Sequence, residues 1–261
     1  MSVVGGPVDL PDRRTRDTVG VTTFAQVLQQ RLAHDPGRPL VTFYDDATGE
    51  HVELSTTTFA NWVAKASSLL ADEHGIERGQ TLRVDLPPHW LAHVFVAAAW
   101  NCGLTVSDAA EPDVVVCGPA SVETWAGQAG SILVLACSLR PLGVRFADPL
   151  PAGVHDVGVE IWGQPDAFVP WDPATDDDVA VDLAGKTTTQ AGIWTAAAAG
   201  TLITDGGRLL TVVDPASPPG IPTFTEPLRN GGSVVLATRI ERERLEAIAI
   251  AERVTARFPP G

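Results

Sequence analysis

The chain has 261 residues, 44% of them hydrophobic, enough for a sizeable core in one large domain or in two close-packed lobes. Lys and Arg number 18 against 32 Asp and Glu, a net charge of -14. Such a chain repels nucleic-acid phosphates and anionic lipid, so neither nucleic acid nor a membrane is expected as a partner.

The first segment, "MSVVGGPVDLPDRRTRD", has no long apolar stretch of the kind that marks a secretory signal, and residues 1–20 read as a loose tail. "TTFAQVLQQRLAHDPGRP" suits a helix capped by Thr22 or Thr23, with Phe24, Val27, Leu28 and Leu32 on one face. "LVTFYDDATGEHVELS" reads as two strands joined at "DDATGE". "TTTFANWVAKASSLLADEHG" begins at a Thr cap, sets Phe59, Trp62, Val63, Ala66, Leu69 and Leu70 at helical spacing, and ends at Gly75.

Leu82, Val84 and Leu86 alternate as in a strand that Pro87-Pro88 stops. "HWLAHVFVAAAWNCG" is an almost wholly apolar helix, expected to pack on more than one side. Two short strands in "LTVSDAAEPDVVVCG", a short helix in "SVETWAGQAG" and a buried strand in "SILVLACSL" follow. From 141 to 177 the chain is rich in Pro, Gly and Asp. Its aromatics, Trp162, Phe168 and Trp171, predict an ordered, buried excursion. "DDDVAVDLAG", "GRLLTVVDP" and "GGSVVLATR" are further strands, and "ERERLEAIAIAERVT" is a helix with Leu245, Ile248 and Ala249 inward. The alternation predicts an α/β fold with a layered, mostly parallel or mixed sheet and flanking helices over 21–258, as a single domain or as lobes of about 21–150 and 151–258.

Cys102, Cys117 and Cys137 each lie in an apolar stretch without a partner at short spacing, the pattern of free thiols in a reducing cytoplasm. No run of about 18 apolar residues occurs that could span a membrane. His89 and His93 stand at i, i+4, a spacing able to bind metal, but no third ligand accompanies them and no metal centre is assigned. The run Asp176-Asp177-Asp178 reads as a solvated loop favouring the start of the next element. No Gly-x-Ser-x-Gly elbow occurs, and no catalytic residue is assigned.

The stretch from Pro39 to Val106 resembles the start of the AMP-forming adenylation enzymes, the superfamily of acyl-CoA synthetases, luciferase and peptide-synthetase adenylation domains. The pattern is a hairpin, a helix, the turn Gly75 to Gly79, a strand ending in Leu86-Pro87, and a helix closed by Gly103. "PLRNGGSVVLATRIERERLEAIAIAERVT" resembles a later segment of the same enzymes, and the order is also similar to that of short actinobacterial proteins of unassigned activity. The resemblance implies part of the family's large N-terminal domain.

It also sets the family's phosphate loop, roughly Thr-Ser-Gly-Thr-Thr-Gly-x-Pro-Lys-Gly, on "LAGKTTTQAG". Gly185, Thr187 and Gly192 match, while Thr188, Gln190 and Ala191 replace the second loop Gly, the Pro and the Lys. A phosphate cradle needs Gly where the backbone turns left-handed or approaches the anion. Lys186 supplies charge only if the loop is rebuilt. The stretch is not a Walker loop either, because Ala180 stands where that motif needs Gly.

Two readings stay open. In one, Gly185, Lys186, Thr187 and Gly192 hold the phosphates of ATP with Mg in a reduced acid-activating ligase. In the other, a strand ends at Leu183, the chain turns at Gly185 and a Thr caps the next helix. The family's Tyr-Gly-x-Thr-Glu motif, ribose-binding Asp and catalytic Lys have no counterpart here, so the expectation is a truncated, non-catalytic descendant that binds a small ligand or a protein partner. A structural protein that self-associates is the third alternative.

Overall fold

Thr23 and Gln26 close a capping box at the start of α1 (Phe24–His34): the Thr hydroxyl accepts from the Gln26 amide, and the Gln26 side chain accepts from the Thr23 amide. This computed structural model describes residues 22–204 and 206–259, and the expected tail over 1–20 lies outside the described residues. Strands β1 (Pro39–Asp45) and β2 (Glu50–Ser55) form the expected hairpin. Helix α2 (Thr56–Ser68) is capped by Ser55 rather than by a Thr, and one π turn (Leu69–Glu73) extends it.

The chain continues through β3 (Thr81–Asp85), α3 (Trp90–Asn101), β4 (Thr105–Ser107), β5 (Val114–Cys117), α4 (Val122–Ala126) and β6 (Leu133–Ala136). Then come β7 (Val154–Asp156), α5 (Val157–Glu160), β8 (Val179–Leu183), β9 (Lys186–Thr189) and α6 (Gln190–Ala198). The last elements are β10 (Arg208–Thr211), α7 (Ile221–Arg229), β11 (Ser233–Thr238), α8 (Arg242–Ala251) and β12 (Ala256–Phe258).

The strands divide between two sheets, in the orders β12-β10-β11-β1-β2 and β7-β6-β5-β3-β4-β8-β9. Each is parallel except for one antiparallel edge strand, β2 in the first and β9 in the second. The mostly parallel, mixed α/β arrangement is as the sequence predicts; the division into two sheets is not visible in it. Helices fill the space between the sheets. One core joins Val41, Phe43 and Leu236 of the first sheet to Leu82, Val116 and Leu135 of the second. Between them lies α3, buried at every residue from Trp90 to Trp100, which explains its lack of a polar stripe.

Alternation along the strands sends the other side chains to the outer faces. Val115 and Val134 pack under Val122 and Trp125 of α4, and Leu210, Val235 and Ala237 pack under Ile248 and Ala249 of α8. The parallel strands β5, β6, β10 and β11 are thus covered on both faces, as parallel sheets require, while the antiparallel edge strands β2 and β9 stay partly exposed.

Several elements depart from the expectation. The helix predicted to run to Thr255 stops at Ala251, and the chain then adds β12 beside β10. Helix α7 forms where no element is predicted; Pro222 sits in its first turn, where the missing N–H costs nothing. The excursion over 141–177 is ordered by β7, by the buried Ile161 and by Phe168, which packs against the core as expected; Trp162 meets Trp62 edge to face but is 51% exposed, and Trp171 is 99% exposed.

Candidate functional site

Leu183 of β8 pairs with Lys186 of β9, so only Ala184 and Gly185 make the turn. Both have positive φ, 50° and 72°, the two-residue hairpin geometry in which both central residues are left-handed. The Ala184 amide donates to Asp108 Oδ2 at 2.8 Å. A carboxylate of the chain itself therefore occupies the turn amide and places negative charge beside it.

Lys186 and Thr187 follow on β9, both exposed. Thr189 caps α6, its hydroxyl accepting from the Gly192 amide at 3.1 Å. The Gln190 and Ala191 amides donate to the carbonyls of Asp178 and Asp176 at 2.8 and 3.0 Å. The first amides of α6, groups that often receive an anion at a helix start, are thus bonded within the chain. Of the residues that the resemblance assigns to phosphate, Gly185, Lys186 and Thr187 lie together on the hairpin. Gly192 lies apart from them in the first turn of α6, where a Cβ would meet Thr188 Cγ2 at 2.7 Å. The strand ending at Leu183, the turn at Gly185 and the Thr cap are all present.

Gln190, set against the family's Pro, is fully buried. Its Nε2 donates to the Trp100 carbonyl at 2.8 Å, and its Oε1 accepts from the Phe24 amide at 3.1 Å and from Trp194 Nε1 at 3.3 Å. One amide side chain thus ties α1, α3 and α6 together. Trp100 Nε1 in turn donates to the Ala180 carbonyl of β8 at 2.8 Å.

Beside the hairpin lies a cleft of about 250 Å³, lined by Leu183, Lys186, Ile193, Ile221, Thr225 and Glu226 among others. Its walls are mostly apolar, with Lys186 the cation of its lining. Glu226 Oε2 accepts from the Leu202 amide at 2.8 Å. Burial raises the Glu226 pKa above the usual carboxylate range, against the pull of the Leu202 bond. Gly200 is pressed against this carboxyl: a Cβ there would stand 2.0 Å from Glu226 Cδ.

His89 and His93 are used separately. His89 Nδ1 accepts from the Leu91 amide at 3.2 Å and caps α3, while its Nε2 faces Glu50 Oε2 at 3.6 Å. The His93 ring lies 5.0 Å from that of Phe224, and neither of its nitrogens has a hydrogen-bond partner. Burial, reinforced by His89, lowers its pKa to about 3. The acidic run also serves structure. Asp178 accepts from the Thr175 amide at 2.8 Å and faces Arg78 Nε at 3.4 Å. The three Cys are buried free thiols, and burial pushes Cys102 and Cys117 up to about 12 and Cys137 well above the ordinary value.

Known structures share the fold. The acyl-CoA synthetase of Brucella canis superposes with a TM-score of 0.70 at 17% identity, over 90% of this chain and 46% of that one. The N-terminal domain of FACL13 from Mycobacterium tuberculosis gives 0.68 at 13%, over 89% and 61%. Coronafacic acid ligase from Pectobacterium brasiliense gives 0.70 at 14%, over 88% and 48%. The fold is that of part of the N-terminal domain of such enzymes.

Within the adenylation fold, this chain spans part of each enzyme that it resembles. A Mycobacterium tuberculosis protein, whose name states only membership of a numbered family, is 36% identical over 160 residues, 59% of this chain and 65% of that relative. No protein-family model matches the sequence. Among the described residues, no helix is long and apolar enough to cross a membrane. Asp108 and Glu226 escape sequence reading because each acts through a contact outside any recognisable motif, and Gln190, read only as a replacement of the family's Pro, acts through contacts to α1 and α3.

Proposed function

We propose that this chain is an adenylation-fold protein that does not activate acids with ATP, and that it binds a small ligand in the cleft beside the hairpin. The observation that carries the reading is the hydrogen bond from the Ala184 amide to Asp108 across a two-residue turn. A triphosphate needs several free amides and positive charge around it. Here the turn is short, its amide is bonded to a carboxylate, and the first amides of α6 are bonded as well. The cleft suits a small, mostly apolar molecule with a polar or anionic head near Lys186, as its volume and lining support.

Titration calorimetry with Mg-ATP, together with pyrophosphate exchange in the presence of a panel of small carboxylic acids, tests this. The expected result is neither nucleotide binding nor exchange, with a melting shift from one or more of the acids alone. Micromolar Mg-ATP affinity or measurable exchange overturns it. The reading of a reduced ATP-dependent ligase is favoured by one feature, the exposed Lys186 at both hairpin and cleft. It requires that Lys186→Ala abolish a nucleotide affinity present in the parent chain.

A further inference from the structure

Away from the cleft, three side chains from separate segments converge. His74 follows the π turn that ends α2, His155 lies in β7, and Glu160 closes α5. Glu160 holds one oxygen toward each ring: Oε2 stands 2.8 Å from His74 Nε2, and Oε1 stands 2.9 Å from His155 Nδ1. The two rings meet edge to face, with centroids 4.5 Å apart. All the donor atoms lie within 4.8 Å of one another. The group is half-buried, with His74 the more enclosed and His155 open to solvent on one side.

We propose that His74, His155 and Glu160 form a binding site for a divalent transition-metal ion of the Zn²⁺ class. Two imidazoles and a carboxylate are a donor set that Zn²⁺ accepts, and imidazole nitrogen selects such ions over Mg²⁺ or Ca²⁺. Zn²⁺ bonds at about 2.0–2.2 Å in a tetrahedral shell set neighbouring donors roughly 3.3 Å apart. The two contacts therefore open by about half an ångström to admit the ion, while the two ring nitrogens, within 4.8 Å of each other, settle at the same spacing. Three protein ligands leave a fourth position for water. The net charge of -14 adds a long-range attraction for cations. The ion would cross-link the end of α2 to the segment carrying β7 and α5, and so fasten the excursion over 141–177 to the helical layer.

The test uses the full chain without a polyhistidine tag, stripped with chelator and titrated with Co²⁺ and then Zn²⁺. The expected result is saturation at one Co²⁺ per chain, with visible bands of tetrahedral intensity that Zn²⁺ bleaches, and a higher melting temperature. His155→Ala and Glu160→Gln should each lose the saturable binding while keeping a cooperative melt, and His51→Ala should keep it. The absence of saturable Co²⁺ binding overturns the proposal. So does binding that survives in the His74→Ala/His155→Ala double variant.

Discussion

Asp108 and the Ala184 amide are 76 residues apart in sequence and 2.8 Å apart in space. The bond joins the end of β4 to the turn between β8 and β9, in the stretch that the sequence resemblance sets on the family's phosphate loop. Because Asp108 is exposed, replacing it costs only a net hydrogen bond. Asp108→Ala should destabilise the fold by about 1 kcal/mol in urea denaturation. It should not create Mg-ATP affinity, since the turn remains two residues long.

Ala184 adopts a left-handed conformation at φ 50°, which an L-residue with a Cβ resists by roughly 1 kcal/mol. Asn tolerates this geometry better, and Asn-Gly is a favoured sequence for such hairpin turns. Ala184→Asn is therefore expected to raise the urea midpoint, by about 0.5–1 kcal/mol of stability.

Gln190 satisfies three groups in the core with one side chain. Gln190→Leu leaves the Phe24 amide and Trp194 Nε1 unsatisfied, while the Trp100 carbonyl keeps the Gly103 amide at 3.2 Å. Each unsatisfied buried group costs about 1–3 kcal/mol, so a loss of at least roughly 2 kcal/mol is expected. Chemical denaturation followed by tryptophan emission reads it directly, because Trp100 and Trp194 sit at the site.

The sign of the His93 effect follows from its neutral burial. Its folded pKa is lowered to about 3 from 6.5, so the unfolded chain binds a proton that the folded chain does not. This contribution to stability is complete above about pH 6.5 and is lost as the pH falls toward 3, by up to roughly 1.4 kcal/mol per pH unit. His93→Leu should flatten the acid side of the stability curve over that window. A curve parallel to that of the parent would show that His93 takes up its proton in the folded chain.

Gly158, in the first turn of α5, lies directly against backbone. A Cβ there would lie 2.4 Å from both Val144 C and Arg145 N. Gly158→Ala must push the main chain apart, at a cost of about 1–3 kcal/mol. Hydrogen exchange should quicken around residues 144–160 before it changes in α3.

The excursion shows where aromatic content misleads. Trp162, Phe168 and Trp171 predict burial; Phe168 packs against the core and Trp162 half covers itself on Trp62, yet Trp171 stands free in solvent, and a strand, a short helix and Ile161 also hold the segment. The phosphate-loop stretch was legible in part. The end at Leu183, the turn at Gly185 and a Thr cap follow from local chemistry, whereas β9 does not, since "KTTT" has no apolar alternation to announce it.

The sequence by itself determined the periodic elements and their class. Apolar spacing, caps and stop residues act within a few positions of one another, and they specify the amphipathic helices, the fully apolar α3 and the buried strands. Only the tertiary structure decided that the strands split into two sheets around a helical layer, that Asp108 holds the hairpin turn, and that His74, His155 and Glu160 meet. Those facts depend on which distant segments become neighbours, and a hydrogen bond or a cluster of donors has no local pattern until the chain has closed on itself.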